Sequence, residues 1–305
     1  MALLLTVNLM LAGCSGRVPR QWPQPAEHQP NQHELDSVPF YPQEAYQCGP
    51  ASLAMALTWS GVQIDPDTIS PEVFTPSRKG SLQPAMISGT RRHGRIAYPI
   101  TGAAAMLTEI AAGHPVIVLQ NLGLSWHPAW HYAVVVGYDL DQGTVILHSG
   151  VTPRKRLSLR VFDNTWARSD YWGLLVLPPS RVPATVIEHN YISAVLGLEM
   201  ARQWRAAVEG YNTAISLWPD SLPARMGLGN SYYALGDLQS AEATFREATR
   251  RFPTDGSPFN NLAQVLWEQG KKHEALEAAN KAVNLGGPLV ETYRKTLEEI
   301  QDGKP

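Results

Sequence analysis

Two side chains in this chain have the types and the setting for covalent chemistry. Cys48 stands in Gln47-Cys48-Gly49-Pro50, just ahead of Leu53, Ala54 and Leu57, which share one helical face. Pro50 suits the first turn of a helix, so the thiol falls at a predicted helix N-terminus. Unpaired N–H groups and the positive end of the dipole favour thiolate over thiol there, and Gly49 lets a substrate backbone come close. A cysteine nucleophile also needs a base on a rigid element. His131 opens Tyr132-Ala133-Val134-Val135-Val136-Gly137-Tyr138, which reads as a strand. Attack of a thiolate on a carbonyl, with imidazole moving the proton, is the chemistry this pair offers. His114 and His127 are other candidate bases, but their settings read as core or loop.

The elements that must position the pair come from hydrophobic patterning. Helical patterns are expected over residues 50–60 and 103–112, and strands over 115–120, 132–138, 144–147 and 173–177. Helices first and an antiparallel sheet after them predict an α+β domain over residues 37–183. Trp126, Trp130 and Tyr138 read as core in preference to a substrate groove, and Arg154-Lys155-Arg156 as a solvated turn.

From about residue 187 the composition turns to Ala, Leu, Glu and Arg at helical spacing, with a period of 34. Ala207, Ala241 and Ala275 keep it, as do Ala214, Ala248 and Ala282, Tyr211 with Phe245, and Pro219 with Pro253. This is the tetratricopeptide pattern, in which small residues allow close helix approach and an aromatic fills the gap between neighbours. Residues 187–305 are therefore expected to form three repeats, over 190–287, and a capping helix, an all-α superhelix. The third copy is weaker, with Ala279 at the aromatic position and Gly287 at the proline.

The order Gln43, then Gln47-Cys48-Gly49-Pro50-Ala51-Ser52-Leu53, then His131-Tyr132 and the strand that follows, resembles the bacteriocin-processing, papain-like cysteine peptidases. The resemblance spans about residues 37–179 and implies a papain-like α+β fold. It implies Cys48 as nucleophile, His131 as general base and acid, and Gln43 as side-chain donor to the oxyanion, with Gln47 the second choice. That family orients its histidine with an Asp in an Asp-Pro pair at the end of the next strand, where this chain reads Leu147-His148-Ser149-Gly150. His148, Ser149 or Asn164 stand open as substitutes. No metal ion or cofactor is called for, and the family's cleavage after a Gly-Gly leader is not carried over.

At the N-terminus an apolar stretch runs into Leu11-Ala12-Gly13-Cys14, which resembles the lipobox of bacterial lipoproteins. No Lys or Arg precedes it, so a start codon upstream is one reading. The resemblance implies a signal peptide over 1–13, acylation of Cys14, a Pro/Gln-rich tether over 14–36 and, since Ser15 follows the cysteine, the outer membrane facing the periplasm. Lipidation leaves Cys48 the one free thiol of the two cysteines, in an oxidising compartment. The 25 basic and 27 acidic residues, without a long basic block, exclude a nucleic-acid footprint.

Together these readings predict a membrane-tethered cysteine peptidase acting on a peptide or protein substrate, with an unidentified protein partner in the groove of the repeats. The rival readings are a degenerate peptidase-like scaffold, supported by the missing Asp, and an amidase or acyltransferase on the same fold.

Overall fold

The computed structural model describes residues 22–23, 29–43 and 47–303. The expected signal peptide, Cys14 and most of the expected tether lie outside the described residues. In chain order the N-terminal region runs β1 (Gln32–Glu34), α1 (Cys48–Trp59), α2 (Pro66–Val73), β2 (Phe74–Thr75), β3 (Gly80–Ser81), α3 (Gln83–Arg92), β4 (Ile96–Thr101) and α4 (Ala103–Ala111). It continues β5 (Val116–Asn121), β6 (Trp130–Asp139), β7 (Thr144–Ser149), β8 (Thr152–Ser158), α5 (Leu159–Trp166) and β9 (Trp172–Leu177).

An antiparallel sheet in the order β4-β9-β5-β6-β7-β8 is the frame, and β1 adds to it along the end of β6. The short hairpin β2-β3 stands apart from it. α1 is buried along nearly its whole length, from Gly49 to Leu57, which explains a sequence apolar on all sides. The expected α+β domain is present, with α2, α3, β4 and α5 as elements that patterning did not reveal.

Two expectations are corrected here. The last residues of the expected tether are the strand β1, with His33 opposite Tyr138. Gly137 admits that strand, since a Cβ there would lie 2.7 Å from the His33 carbonyl oxygen. The Arg154-Lys155-Arg156 run lies within β8 rather than a turn, and Arg154 and Arg156 pair with Glu34 while Arg154 also reaches Asp36. An edge strand exposed on both sides carries no apolar alternation to read.

Seven helices follow: α6 (Glu188–Met200), α7 (Trp204–Leu217), α8 (Leu222–Ala234), α9 (Leu238–Arg251), α10 (Gly256–Glu268), α11 (Lys272–Leu285) and α12 (Val290–Asp302). All six alanines that keep the 34-residue period are fully buried. Tyr211 packs against Gly227 and Phe245 against Gly229, so closely that a Cβ would lie 2.2 and 2.4 Å from the rings. One hydrophobic core runs from the sheet into the first helix pair, through Tyr191, Val195, Leu198 and Tyr211.

The join is polar as well. Glu109 of α4, fully buried, accepts from Thr185 N–H at 2.7 Å and Ala184 N–H at 3.1 Å and lies 2.7 Å from His114 Nδ1. Tyr191 donates to the Pro179 carbonyl at 2.8 Å, and Gln203 to the Arg92 carbonyl at 2.8 Å. Burying a carboxylate is tolerable only with such a full set of donors. The repeats leave the sheet after Leu177, at the end away from Trp172; the register of β5 with β9 and β6 puts Trp172, Asn121 and Trp130 at the other end, with His131.

Candidate active site

A gap in the sheet sets the position of the thiol. β7 pairs with β6 only from Val134, which faces His148, so residues 130–133 of β6 overhang its end. One edge of the overhang is paired with β5, Leu119 lying opposite Tyr132. The N-terminus of α1 and the side chain of Gln43 fill the other edge. The backbone N–H groups of Tyr132, of Gly49 and of Cys48 itself act on the Cys48 thiol in the direction that favours thiolate. The residue next to His131 is therefore among those that bear on the thiol.

The imidazole is held from its far side. His131 Nε2 lies 2.9 Å from Ser149 Oγ at the end of β7, which leaves Nδ1 as the nitrogen without that partner. Of the three open substitutes for the missing Asp, Ser149 is the one that meets the ring. His148 is buried elsewhere: its Nε2 lies 3.1 Å from the Val38 carbonyl, and its Nδ1 accepts from Arg154 N–H at 3.2 Å. Asn164 is exposed on α5. Of the other candidate bases, His114 is locked to Glu109, and His127 sits exposed in the β5–β6 connection.

Gln43 has a different set of partners from the one its expected role requires. Its amide nitrogen donates to Ser52 Oγ at 3.1 Å and to the Tyr132 carbonyl at 3.3 Å, and its Oε1 accepts from Gly150 N–H at 2.8 Å. Its backbone N–H donates to the Gly150 carbonyl at 2.9 Å. Both amide hydrogens are thus spent, one on α1 and one on β6, while the oxygen ties the residue after β7. By contrast Gln47 Oε1, Ser81 Oγ and Tyr132 Oη are buried and have no hydrogen-bond partner. Gln47 adjoins Cys48 in the chain, and Ser81 lies so close to Gly49 that a Cβ there would come within 2.2 Å of its Oγ. Ser81 carries no sequence signal for this, because only the β2-β3 hairpin brings it to α1.

Burial dominates the electrostatics of the pair. It pushes the Cys48 thiol up, and the N–H groups of Tyr132, Gly49 and Cys48 offset this only in part. The helix N-terminus acts in the expected direction but is outweighed. Burial also lowers His131 to about 4, with the positive charge of Lys155 as the second cause. Lys155 lies opposite Leu147, which lies opposite Val135, so it shares the pleat side of His131. At neutral pH burial thus favours the uncharged form of each, thiol and neutral imidazole. Among the described residues no group of three His, Cys, Asp or Glu side chains is set to hold a metal ion.

Residues 35–172 match the Peptidase_C39 like family, and residues 198–256 and 257–285 match tetratricopeptide repeat families. The N-terminal region is thus similar to C39-like peptidases and the helical region to tetratricopeptide repeats. A crystal structure from Bacillus anthracis described as a C39-like peptidase aligns at 17% identity and a TM-score of 0.39, over 48% of this chain and 97% of that one. The Sgt2 TPR domain of Aspergillus fumigatus aligns at 19% identity and a TM-score of 0.33, over 39% of this chain and 84% of that one. Small glutamine-rich tetratricopeptide repeat-containing protein 2 of Mycosarcoma maydis is 30% identical over 97 residues, 32% of this chain. The match spans only 27% of that protein's length.

Two outcomes follow from the partners of the C39-like site. In an NMR titration His131 should lose its proton near pH 4 instead of the ordinary ~6.5, and Lys155→Ala should move that midpoint up. The folded-state value being depressed, stability from this group is present above ~6.5 and is lost as pH falls towards 4. Gln43→Ala should destabilise the fold by about 1–3 kcal/mol, read by urea unfolding, because Gly150 N–H and the Tyr132 carbonyl lose their partner. A variant as stable as the native chain would show that the amide is not a clasp.

Proposed function

We propose that the chain is a cysteine peptidase that works through an acyl-enzyme at Cys48. The observation that supports this reading is that Ser149 holds His131 on the overhang of β6, beside Tyr132, whose N–H bears on the Cys48 thiol. His131 accepts the thiol proton as the sulfur attacks the scissile carbonyl, then returns it to the leaving amine. Water next attacks the thioester with the same imidazole as base, releasing the acid and restoring the thiol. Ser149 takes the place of the family's Asp as the residue that holds the ring; being neutral, it steers the imidazole without stabilising an imidazolium by charge.

For the oxyanion the backbone N–H groups at the start of α1 are the nearest donors. Gln43 joins them only by releasing Ser52 or the Tyr132 carbonyl. We also propose anchoring of the chain to a membrane by acylated Cys14, on the strength of the Leu11-Ala12-Gly13-Cys14 motif, and a protein partner for the repeats.

The test is hydrolysis of a pool of defined peptides by the purified chain, with new termini identified by mass spectrometry. Cys48→Ala should abolish every cut, and Ser149→Ala should lower kcat by on the order of 10²-fold with KM unchanged. Cuts that survive Cys48→Ala would overturn the assignment.

A further inference from the structure

The connection between β5 and β6 exposes large apolar side chains on purpose-built backbone. Leu122, Leu124, Trp126 and Trp130 are 53%, 54%, 80% and 52% exposed. Scattered exposed hydrophobics are ordinary, but four within nine residues are not. The loop that carries them is extensively bonded. Asn121 Oδ1 accepts from Gly123 N–H at 3.0 Å and Ala129 N–H at 2.9 Å, and Leu122 N–H donates to the Ala129 carbonyl at 2.9 Å. At the tip Leu124 and His127 exchange bonds of 3.0 and 3.1 Å, and Arg168 fastens the base through the carbonyls of Asn121 and Gly123. Gly123 is required there, since a Cβ would lie 2.4 Å from the His127 carbonyl oxygen. Holding apolar side chains in water in one conformation gains nothing for folding; it lowers the entropy cost of binding something to them.

The position of the loop says what that is. Trp130 lies two residues before Tyr132, whose carbonyl shares the Gln43 amide with Ser52 of α1, the helix that starts at Cys48, so the base of the loop is about 7 Å along the strand from that junction. The repeats join the sheet at its other end and leave this end open. We propose that the β5–β6 loop is the specificity element of the peptidase, binding a large apolar or aromatic side chain of the peptide whose neighbouring carbonyl lies on Cys48. This rests on the catalytic reading above. Trp130, opposite Asn121, continues the pleat side of Tyr132, and Leu122, opposite Ala129, that of His131, so both faces of the ribbon present apolar side chains, with Leu124 and Trp126 exposed at its tip; the rings of Trp126 and Trp130 suit a flat or branched side chain.

The experiment uses the full chain and the double variant Leu124→Ser/Trp126→Ser against the same peptide pool. The native chain should favour Phe, Trp, Leu and Met at one position beside the cut, and the variant should lose that preference by roughly tenfold or more in kcat/KM. Alkylation of Cys48 by iodoacetamide should proceed equally in both, showing that the thiol and its surroundings are intact. An unchanged preference would overturn the proposal. So would a loop that instead binds phosphatidylcholine vesicles, or a dimer that the variant dissolves in sedimentation, each shown by native protein and lost in the variant without a change in cleavage. Binding separates this proposal from the catalytic one: full-length Cys48→Ala should retain apolar peptides of the pool that Cys48→Ala carrying the two serines releases. If the native chain cuts nothing but this retention is seen, the catalytic reading fails and the loop assignment stands; if retention is absent, the loop assignment fails.

Discussion

The overhang of β6 beyond β7 is the constraint on which the site depends. A strand edge left bare in the middle of a sheet must find partners for its N–H and C=O groups. Here the amide of Gln43 serves the Tyr132 carbonyl, and the Tyr132 N–H bears on the Cys48 thiol. The gap in the ladder is thus also the device that brings the N-terminus of α1 against the strand carrying His131. Gly49 belongs to the same device, since any larger residue would push away Ser81 and with it the β2-β3 hairpin.

Burial at that junction sets the chemistry. The thiol is raised and the imidazole lowered for one reason, loss of water around the charged form of each. Burial thus favours the uncharged form of both groups. A hydroxyl at Ser149 orients the ring at little desolvation cost where a carboxylate would have to be buried as a charge.

Much of this was legible in the sequence, and what was not has physical reasons. Cys48 and His131 announce themselves by a helix start and a β-branched strand, both local signals. The 34-residue period named the repeats, whose alanines and aromatics are in contact as the pattern demands. That Ser149, and not His148 or Asn164, meets the imidazole depends on the pairing of β6 with β7, which no local pattern contains. The role of Gln43 could not be read either, since its partners Ser52, Tyr132 and Gly150 lie up to 107 residues away. Trp126 and Trp130 are exposed, against the usual rule that aromatics near a sheet are core. Tyr138 follows the rule. β1 hid in a Pro- and Gln-rich stretch because a three-residue edge strand needs no apolar face of its own.

The central claim is that Cys48 carries the acyl group between attack and hydrolysis. The most direct measurement is to stop the reaction with a cleaved peptide in acid and weigh the intact chain. The account predicts a mass gain equal to the acyl half of the peptide, released by hydroxylamine, located on Cys48 and absent in His131→Ala. Turnover of that peptide with no adduct on Cys48 under any quench time would contradict it, and would assign the attack to water instead of the thiol.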